Sequence, residues 1–289
     1  MIEQDKFYET FKFEIDLFIK KSLEEDIGNG DYTTKSCLQS PEKRKMILKV
    51  NQPCILAGVE LAKKIFSFYD SDIKIDINLT DGSLARPGEI GFIVSGKASS
   101  LLILERLVLN CMQRMSGIAS LTNFLNKKIC HTKCKILDTR KTTPGFRYPE
   151  KWAVLIGGGY NHRMGLFDTI IIKDNHIDFC GSITEALSRT KDYIKKNNLS
   201  IPVIVEVRNE QEIRQAMKFS WIDRILLDNM TKNQIIKSLK LIDRKYKTEA
   251  SGNITLNNLV EIAETGVDYM SLGAITHSAK NIDLSLKAI

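Results

Sequence analysis

The chain lacks any stretch approaching the ~18 consecutive apolar residues of a membrane-spanning helix. Its first twenty residues interleave Glu3, Asp5, Lys6, Glu9, Lys12 and Glu14 with apolar side chains, so no uninterrupted apolar core of a secretory signal stands there. Paired Cys-x-x-Cys spacing is missing as well. The six cysteines, Cys37, Cys54, Cys111, Cys130, Cys134 and Cys180, lie scattered through mostly apolar surroundings, which reads as reduced, structural thiols of a cytoplasmic protein. Cys130-His131-x-x-Cys134 resembles half a metal site, but no second half follows. Low-complexity linkers and internal repeats are also lacking, so any domain boundary must be read from a change of pattern.

What is present is enough apolar residue, 43% of 289, to bury one large core or two modest ones. The net charge of +7 is spread over the whole length, not gathered in a tail. That favours an anionic partner, either a nucleic acid or a phosphorylated substrate, and charge alone does not choose between them.

A change of pattern falls near residues 115–132. Before it, residues 45–50, 73–79 and 90–95 read as strands joined by the turn signals Asp81-Gly82 and Pro87-Gly88, giving a small α+β unit. Residues 99–127 form a long helical candidate, nearly all apolar. Its polar exceptions Arg106, Asn110 and Gln113 share one face, so the helix is expected to be mostly buried with one polar stripe. After the change, six apolar runs (134–137, 169–172, 203–207, 224–227, 248–250 and 269–272) alternate with helical patterns at 182–196, 210–218, 232–244 and 255–265. Alternation of this kind predicts a parallel sheet, and closure towards a barrel would bury both its faces. The fold class is therefore α/β.

The strand ends carry the chemistry. They read Asp138 with Arg140 and Lys141, then Lys173, Glu206, Asp228, Ser251 and Gly273. In a (β/α) barrel such ends share one rim, where active sites are built. Six units are fewer than eight, so the barrel is expected to be incomplete, with something else covering the gap.

From residue 140 to 163 the charged and ionisable side chains are Arg140, Lys141, Arg147, Lys151, His162 and Arg163, opposed only by Glu150. That surplus suits a ligand with more than one carboxylate or phosphate; a solvated loop is the alternative. Gly157, Gly158 and Gly159 in the same loop would let backbone approach a ligand closely or adopt positive φ. Glu206 and Asp228 end adjacent strands. They could hold Mg2+, bond ribose hydroxyls or offset a developing positive charge, and a structural ion pair with Lys173 is the plainer option. Gly252 and Gly273 open two loops whose backbone N–H groups could cradle a phosphate.

Several of these segments resemble one known family, the quinolinate phosphoribosyltransferases. They are Asp-Thr-Arg-Lys-Thr-Thr-Pro-Gly at 138–145, Gly-Gly-Gly-Tyr-Asn-His-Arg-Met-Gly-Leu at 157–166 and Ile-Lys-Asp-Asn-His at 172–176. Glu-Arg-x-x-Leu-Asn at 105–110, Gln-Arg-Met-Ser-Gly-Ile-Ala at 113–119, Glu-Ala-Ser-Gly at 249–252 and Ser-Leu-Gly-Ala-Ile-Thr-His at 271–277 are similar to it too. The likeness runs in order from about Glu25 to the end of the chain.

The resemblance implies an N-terminal α/β sandwich domain over 1–115, with a C-terminal segment at about 276–289 able to pack back on it, and an incomplete six-stranded (β/α) barrel over 116–275. It implies a cytoplasmic homodimer with Arg106 delivered into the neighbour's active site, which would explain the polar stripe. Arg106, Arg140, His162, Arg163 and Lys173 would bind the quinolinate carboxylates. Lys141, Lys173, Glu206 and Asp228 would hold phosphoribosyl pyrophosphate and Mg2+, with Ser251, Gly252, Gly273 and His277 near its phosphates. Lys141, Glu206 and Asp228 would be the catalytic group, and the carboxylates would meet Mg2+ directly or through water or substrate. Three positions depart from the family pattern. Asn253 stands where a second glycine usually follows Ser-Gly, and Ile204 and Arg208 stand where further acids are common.

Two other readings are weighed against this one. A related phosphoribosyltransferase-like protein encoded with molybdate transport genes shares part of the signature, but the set Arg140, His162, Arg163 and Lys173 suits a dicarboxylate. A nucleic-acid-binding protein would need a clustered basic face with interleaved aromatics, and none is evident.

Overall fold

The computed structural model describes residues 3–38 and 42–289. The chain folds as two compact units: Met1–Phe124 with Lys141–Gly159 and Ala274–Ile289, and Leu125–Arg140 with Tyr160–Gly273.

The first unit contains β1 (Lys43–Val50), β2 (Cys54–Ile55), β3 (Lys74–Ile77), β4 (Leu84–Ala85) and β5 (Ile90–Lys97). In β1 the residues Met46, Leu48 and Val50 are buried while Lys45 and Lys49 are exposed, the period-2 pattern of a sheet with one covered face. β1 lies antiparallel to β5, and β5 to β3; β2 and β4 pair separately.

The second unit carries the parallel strands β6 (Lys135–Leu137), β7 (Ile170–Ile172), β8 (Val203–Val207), β9 (Arg224–Asp228), β10 (Lys247–Ser251) and β11 (Tyr269–Ser271). Their spatial order is β6-β11-β10-β9-β8-β7. A closed barrel would pair β6 with β7, and here they are the two edges. Every residue of β8, Val-Ile-Val-Glu-Val, is buried, as expected for a strand covered on both faces. Ile171, Ile204 and Leu226 form one apolar cluster across β7, β8 and β9. The intervening helices begin at side-chain caps that their sequences supply: Ser182 accepts from Glu185 N, Asn209 from Glu212 N, and Thr231 forms a capping box with Gln234.

The final strand, β12 (Leu284–Ala288), pairs antiparallel with β1, from Val50 opposite Leu284 to Met46 opposite Ala288. The C-terminal segment thus belongs to the first unit. So do residues 141–159, which a division near residue 116 leaves with the barrel. The reason is a buried ion pair: Glu150, fully inaccessible, accepts from Arg114 Nε at 3.0 Å and from Thr143 N and Oγ1 at 3.0 and 2.9 Å. Phe7 stacks on Trp152 in the same unit, with ring centroids 5.6 Å apart.

The long helix spans Ala98–Ile129. Leu101, Leu104, Val108, Met112 and Met115 are buried, and Leu102, Arg106 and Asn110 face outward. Gln113 departs from the expected stripe. It is half-buried and its Nε2 donates to Leu284 O at 2.9 Å, holding the edge strand in place.

The helix expected over 255–265 is shorter, Leu259–Ala263. Asn258 accepts from Thr255 N at 2.7 Å and donates to Asn253 O at 3.0 Å, which keeps the preceding residues in a loop.

Candidate active site

The rim of the second unit starts at Asp138, just beyond β6. Tyr160 extends the β6 edge by a single parallel bridge, its N–H donating to Ile136 O at 2.9 Å and its carbonyl accepting from Asp138 N at 3.0 Å. The buried Asp138 carboxylate then fastens the segment that follows: Oδ1 accepts from His162 N at 2.8 Å and Oδ2 from Asn161 Nδ2 at 2.7 Å. The edge of β6 that faces away from β11 is thus bonded to residues 160–162.

Arg163 comes next. Its Nη1 donates to Thr169 O at 3.0 Å, and Asp168 accepts from Met164 N and Gly165 N, closing a tight loop. Burial, with the like charge of Arg140 beside it, pushes the Arg163 guanidinium below its ordinary value, while Asp168 works the other way. Two guanidinium groups that repel one another are disposed to receive an anion.

His162 precedes Arg163 directly. Its Nδ1 accepts from Arg163 N at 2.8 Å, and its Nε2 faces Glu249 Oε1 at 3.3 Å.

On the other side of the rim, Lys173 Nζ lies 3.2 Å from Glu206 Oε2. Burial raises the proton affinity of Glu206, Asp228 and Asp174 raise it further, and Lys173 opposes them. Asp228 accepts from Asn229 Nδ2 at 2.6 Å. Asn229 is in turn held by the next loop: its N–H donates to Ser251 O at 2.8 Å, and its Oδ1 accepts from Asn253 Nδ2 at 3.0 Å. Gly252 has φ +82, and a Cβ there would lie 2.1 Å from Asn229 Oδ1, so only glycine permits this approach. Gly273 follows β11 at the same end of the sheet.

Arg140, Lys173, Glu206, Asp228, Ser251, Gly252 and Gly273 therefore stand at or just beyond the carboxyl ends of strands in one unit, and Arg163 lies in the loop of that unit between Tyr160 and β7. Lys141, His277 and Arg106 belong to the first unit. Lys141 O accepts from Thr276 Oγ1 at 2.8 Å, and Arg114 donates to the carbonyls of Ala279 and Thr276, so the loop of Lys141 and the segment of His277 are fastened together. His277 is exposed, with Nδ1 2.6 Å from Ser278 Oγ. Arg106 faces outward between Leu102 and Asn110.

Two expectations for the cationic loop are revised. Lys151 is wholly buried, and Arg147 donates to Thr142 Oγ1, so neither is a freely solvated loop cation. Gly157 and Gly159 pack against the long helix: added Cβ atoms would lie 2.5 Å from Ala119 O and 2.7 Å from Thr122 Cγ2. These glycines admit a helix instead of a ligand. Gly158 alone of the three takes positive φ, +83. Among the described residues no cluster of three or more His, Cys, Asp or Glu forms a metal cage; His131 of the Cys130-His131 segment pairs with Glu264.

The sequence matches the profiles "Quinolinate phosphoribosyl transferase, N-terminal domain" over residues 31–116 and "Quinolinate phosphoribosyl transferase, C-terminal domain" over residues 118–287. The chain belongs to the quinolinate phosphoribosyltransferase family. It is 42% identical over 284 residues to "Quinolinate phosphoribosyltransferase [decarboxylating] 1b" of Nicotiana tabacum, covering 93% of this chain and 81% of that protein. It is 41% identical to the "Probable nicotinate-nucleotide pyrophosphorylase [carboxylating]" of Bacillus subtilis, over 91% of this chain and 89% of that one. The crystal structure of NadC from Streptococcus pyogenes superposes with a TM-score of 0.88 at 35% identity, over 96% of this chain and 98% of that one.

Within the quinolinate phosphoribosyltransferase family this chain's departures now have a structural reading. Asn253 adopts φ +53, a conformation that asparagine tolerates better than most residues, and uses its amide to brace Asn229. Ile204 joins the apolar cluster below the rim. Arg208 is neutralised by Glu212 and Asp178, at 2.7 and 3.0 Å.

Sequence reasoning passed over Arg224, Asn229 and the support role of Glu249. The signal for the first and last was available. Arg224, Leu226 and Asp228 alternate along β9, as Glu249 and Ser251 do along β10, so ionisable groups point to the same side as the rim residues.

Proposed function

We propose that this protein transfers the phosphoribosyl group of phosphoribosyl pyrophosphate to quinolinate with loss of CO2, giving nicotinate mononucleotide and pyrophosphate for de novo NAD biosynthesis. The observation that carries the reading is the juxtaposition of the mutually repelling Arg140 and Arg163 with the Lys173–Glu206–Asp228 group on one rim. A dicarboxylate relieves the first, and a metal-bound sugar phosphate the second.

Arg140, Arg163 and Lys173 receive the two carboxylates and aim the ring nitrogen at C1 of the ribose. As the N–C bond forms, the C–O bond to pyrophosphate breaks and its electron pair leaves with pyrophosphate. Glu206 and Asp228 face the positive charge that develops on the sugar. The quaternised ring then accepts the electron pair of the C–C bond beside the nitrogen as CO2 departs, and a proton from water takes its place.

Glu206 and Asp228 fit Mg2+ as two carboxylates completed by water and phosphate oxygens; the ion, when bound, offsets the leaving charge of pyrophosphate. The family likeness assigns Lys141, Ser251, Gly252, Gly273 and His277 to the phosphates. The protein acts as a homodimer, with Arg106 presented to the neighbouring subunit from the outward row of Leu102, Arg106 and Asn110. Six free thiols suit a cytoplasmic setting.

The test is incubation with quinolinate, phosphoribosyl pyrophosphate and Mg2+, following CO2 and nicotinate mononucleotide together, with nicotinate as parallel substrate. Both products in equal amounts from quinolinate alone are expected. Absence of product from quinolinate overturns the proposal.

A further inference from the structure

We infer that the open face of the antiparallel sheet in the first unit carries a second anion site, made of none of the rim residues. Its ligand is a compact oligophosphate, two or three linked phosphate groups.

Strand alternation and register decide what this face presents. In β1 the side chains of Met46, Leu48 and Val50 turn to the covered side, so Lys43, Lys45 and Lys49 turn to the other. Directly opposed residues share a face, which extends that side across the sheet. Lys43 stands opposite Lys97, Lys45 opposite Ser95, Ser95 opposite Lys74, and Ile47 opposite Lys287 of β12. Against these six lysines the four strands bring a single acid, Asp76, opposite Ile93. The whole chain has 42 Lys and Arg against 35 Asp and Glu, so the excess here is local and not a reflection of composition.

Ser95 is the small member of its row. A hollow of about 420 Å³ opens there, lined by Lys43, Arg44, Lys45 and Lys74 and by Asp72 as its one acidic side chain. Lys45 and Lys74 are two strand spacings apart, roughly 10 Å, and border Ser95 from either side. Ile289 N donates to Lys45 O at 3.1 Å, which closes the row beyond Lys45.

Other charges of this sheet have partners. Lys97 lies 3.8 Å from Asp70, which also attracts Lys43, and Arg44 pairs with Glu42. Lys45 and Lys74 are exposed and form no ion pair among the described residues. Two like charges flanking one residue repel, and an anion between them removes the repulsion while accepting from the Ser95 hydroxyl. None of the residues lining the hollow is aromatic, so phosphate is read there and a nucleobase gains nothing.

Acylation of lysines in the full-length protein, followed residue by residue by mass spectrometry, tests the site with inorganic tripolyphosphate as probe, in low salt with divalent cations chelated. Lys45 and Lys74 should react about threefold or more slowly with the probe present, while Lys191 and Lys195, exposed on a helix of the second unit, keep their rates. Equal slowing of both pairs, or none at Lys45 and Lys74, overturns the inference. By titration calorimetry, Lys45→Ala/Lys74→Ala should weaken binding about tenfold and Lys191→Ala/Lys195→Ala less than about twofold. Equal losses would show a response to net charge alone and sink the site. ATP should protect Lys45 and Lys74 about as well as tripolyphosphate does. Stronger protection by a single-stranded oligonucleotide would give the face to a polymer instead. Without ligand, Lys45→Ala/Lys74→Ala should melt at or above the parent temperature, since it removes a repulsion; a lower midpoint would contradict the charge argument.

Discussion

Asn253 donates through Nδ2 to Asn229 Oδ1 at 3.0 Å, and both residues hold left-handed backbone, with φ of +53 and +52. Asn229 spends its remaining amide on Asp228. A residue at which the chain departs from its family is therefore two hydrogen bonds from a rim carboxylate. Asn253→Gly should relieve about 1 kcal/mol of left-handed strain while loosening Asp228. The expected result is an unchanged melting temperature with a phosphoribosyl pyrophosphate KM about threefold higher, read by calorimetry and initial rates.

Arg163→Glu replaces one of two repelling cations at the rim by an anion. Quinolinate saturation should disappear, while near-ultraviolet circular dichroism and the thermal midpoint stay close to the parent. An unchanged quinolinate KM contradicts the role given to this residue.

Glu249 should shape acid stability. Burial alone would push its carboxyl up, but the His162 hydrogen bond and charge and the Arg224 guanidinium outweigh it and hold the group at about 2, against an ordinary 4.5. For an acid whose folded value is depressed, the unfolded chain takes up the proton first. The contribution is thus complete above 4.5 and is lost as pH falls towards about 2. Urea midpoints measured from pH 6 down to 2.5 should decline less steeply in Glu249→Gln than in the parent.

Gly117 lies in the long helix where a Cβ would come within 2.1 Å of Lys280 O. The obstacle is backbone and cannot rotate away. Gly117→Ala should cost about 2–4 kcal/mol of unfolding free energy, despite alanine's better helix propensity, as judged by chemical denaturation. A stabilised variant would show that the C-terminal segment does not pack there.

Much of the architecture was legible in the chain because it is local. A run such as β8, four apolar residues and Glu206, is long enough to declare a buried strand, and a polar residue at or near the close of such a run has few places to stand except a strand end. Alternation of strand and helix then dictates a parallel sheet, and six units leave it open. Arg140, Lys173, Glu206, Asp228, Ser251 and Gly273 were placed at strand ends by this reasoning. The pattern around residues 157–159 was read less well. Three glycines say that something approaches closely, but not that it is the helix carrying Ala119 and Thr122.

By itself, then, the sequence determined the alternation of strands and helices, though not every boundary, and, through its motifs, the family. Only the tertiary structure decided which buried polar group meets which: Glu150 with Arg114, Glu249 with Arg224 and His162, Gln113 with the carbonyl of Leu284. The reason is physical. Hydrophobic period depends on neighbours a few residues away, whereas the partner of a buried ionised group is selected by packing among residues tens to well over a hundred positions apart. A charge taken from water must find a partner, but the chain does not say which one until it has folded.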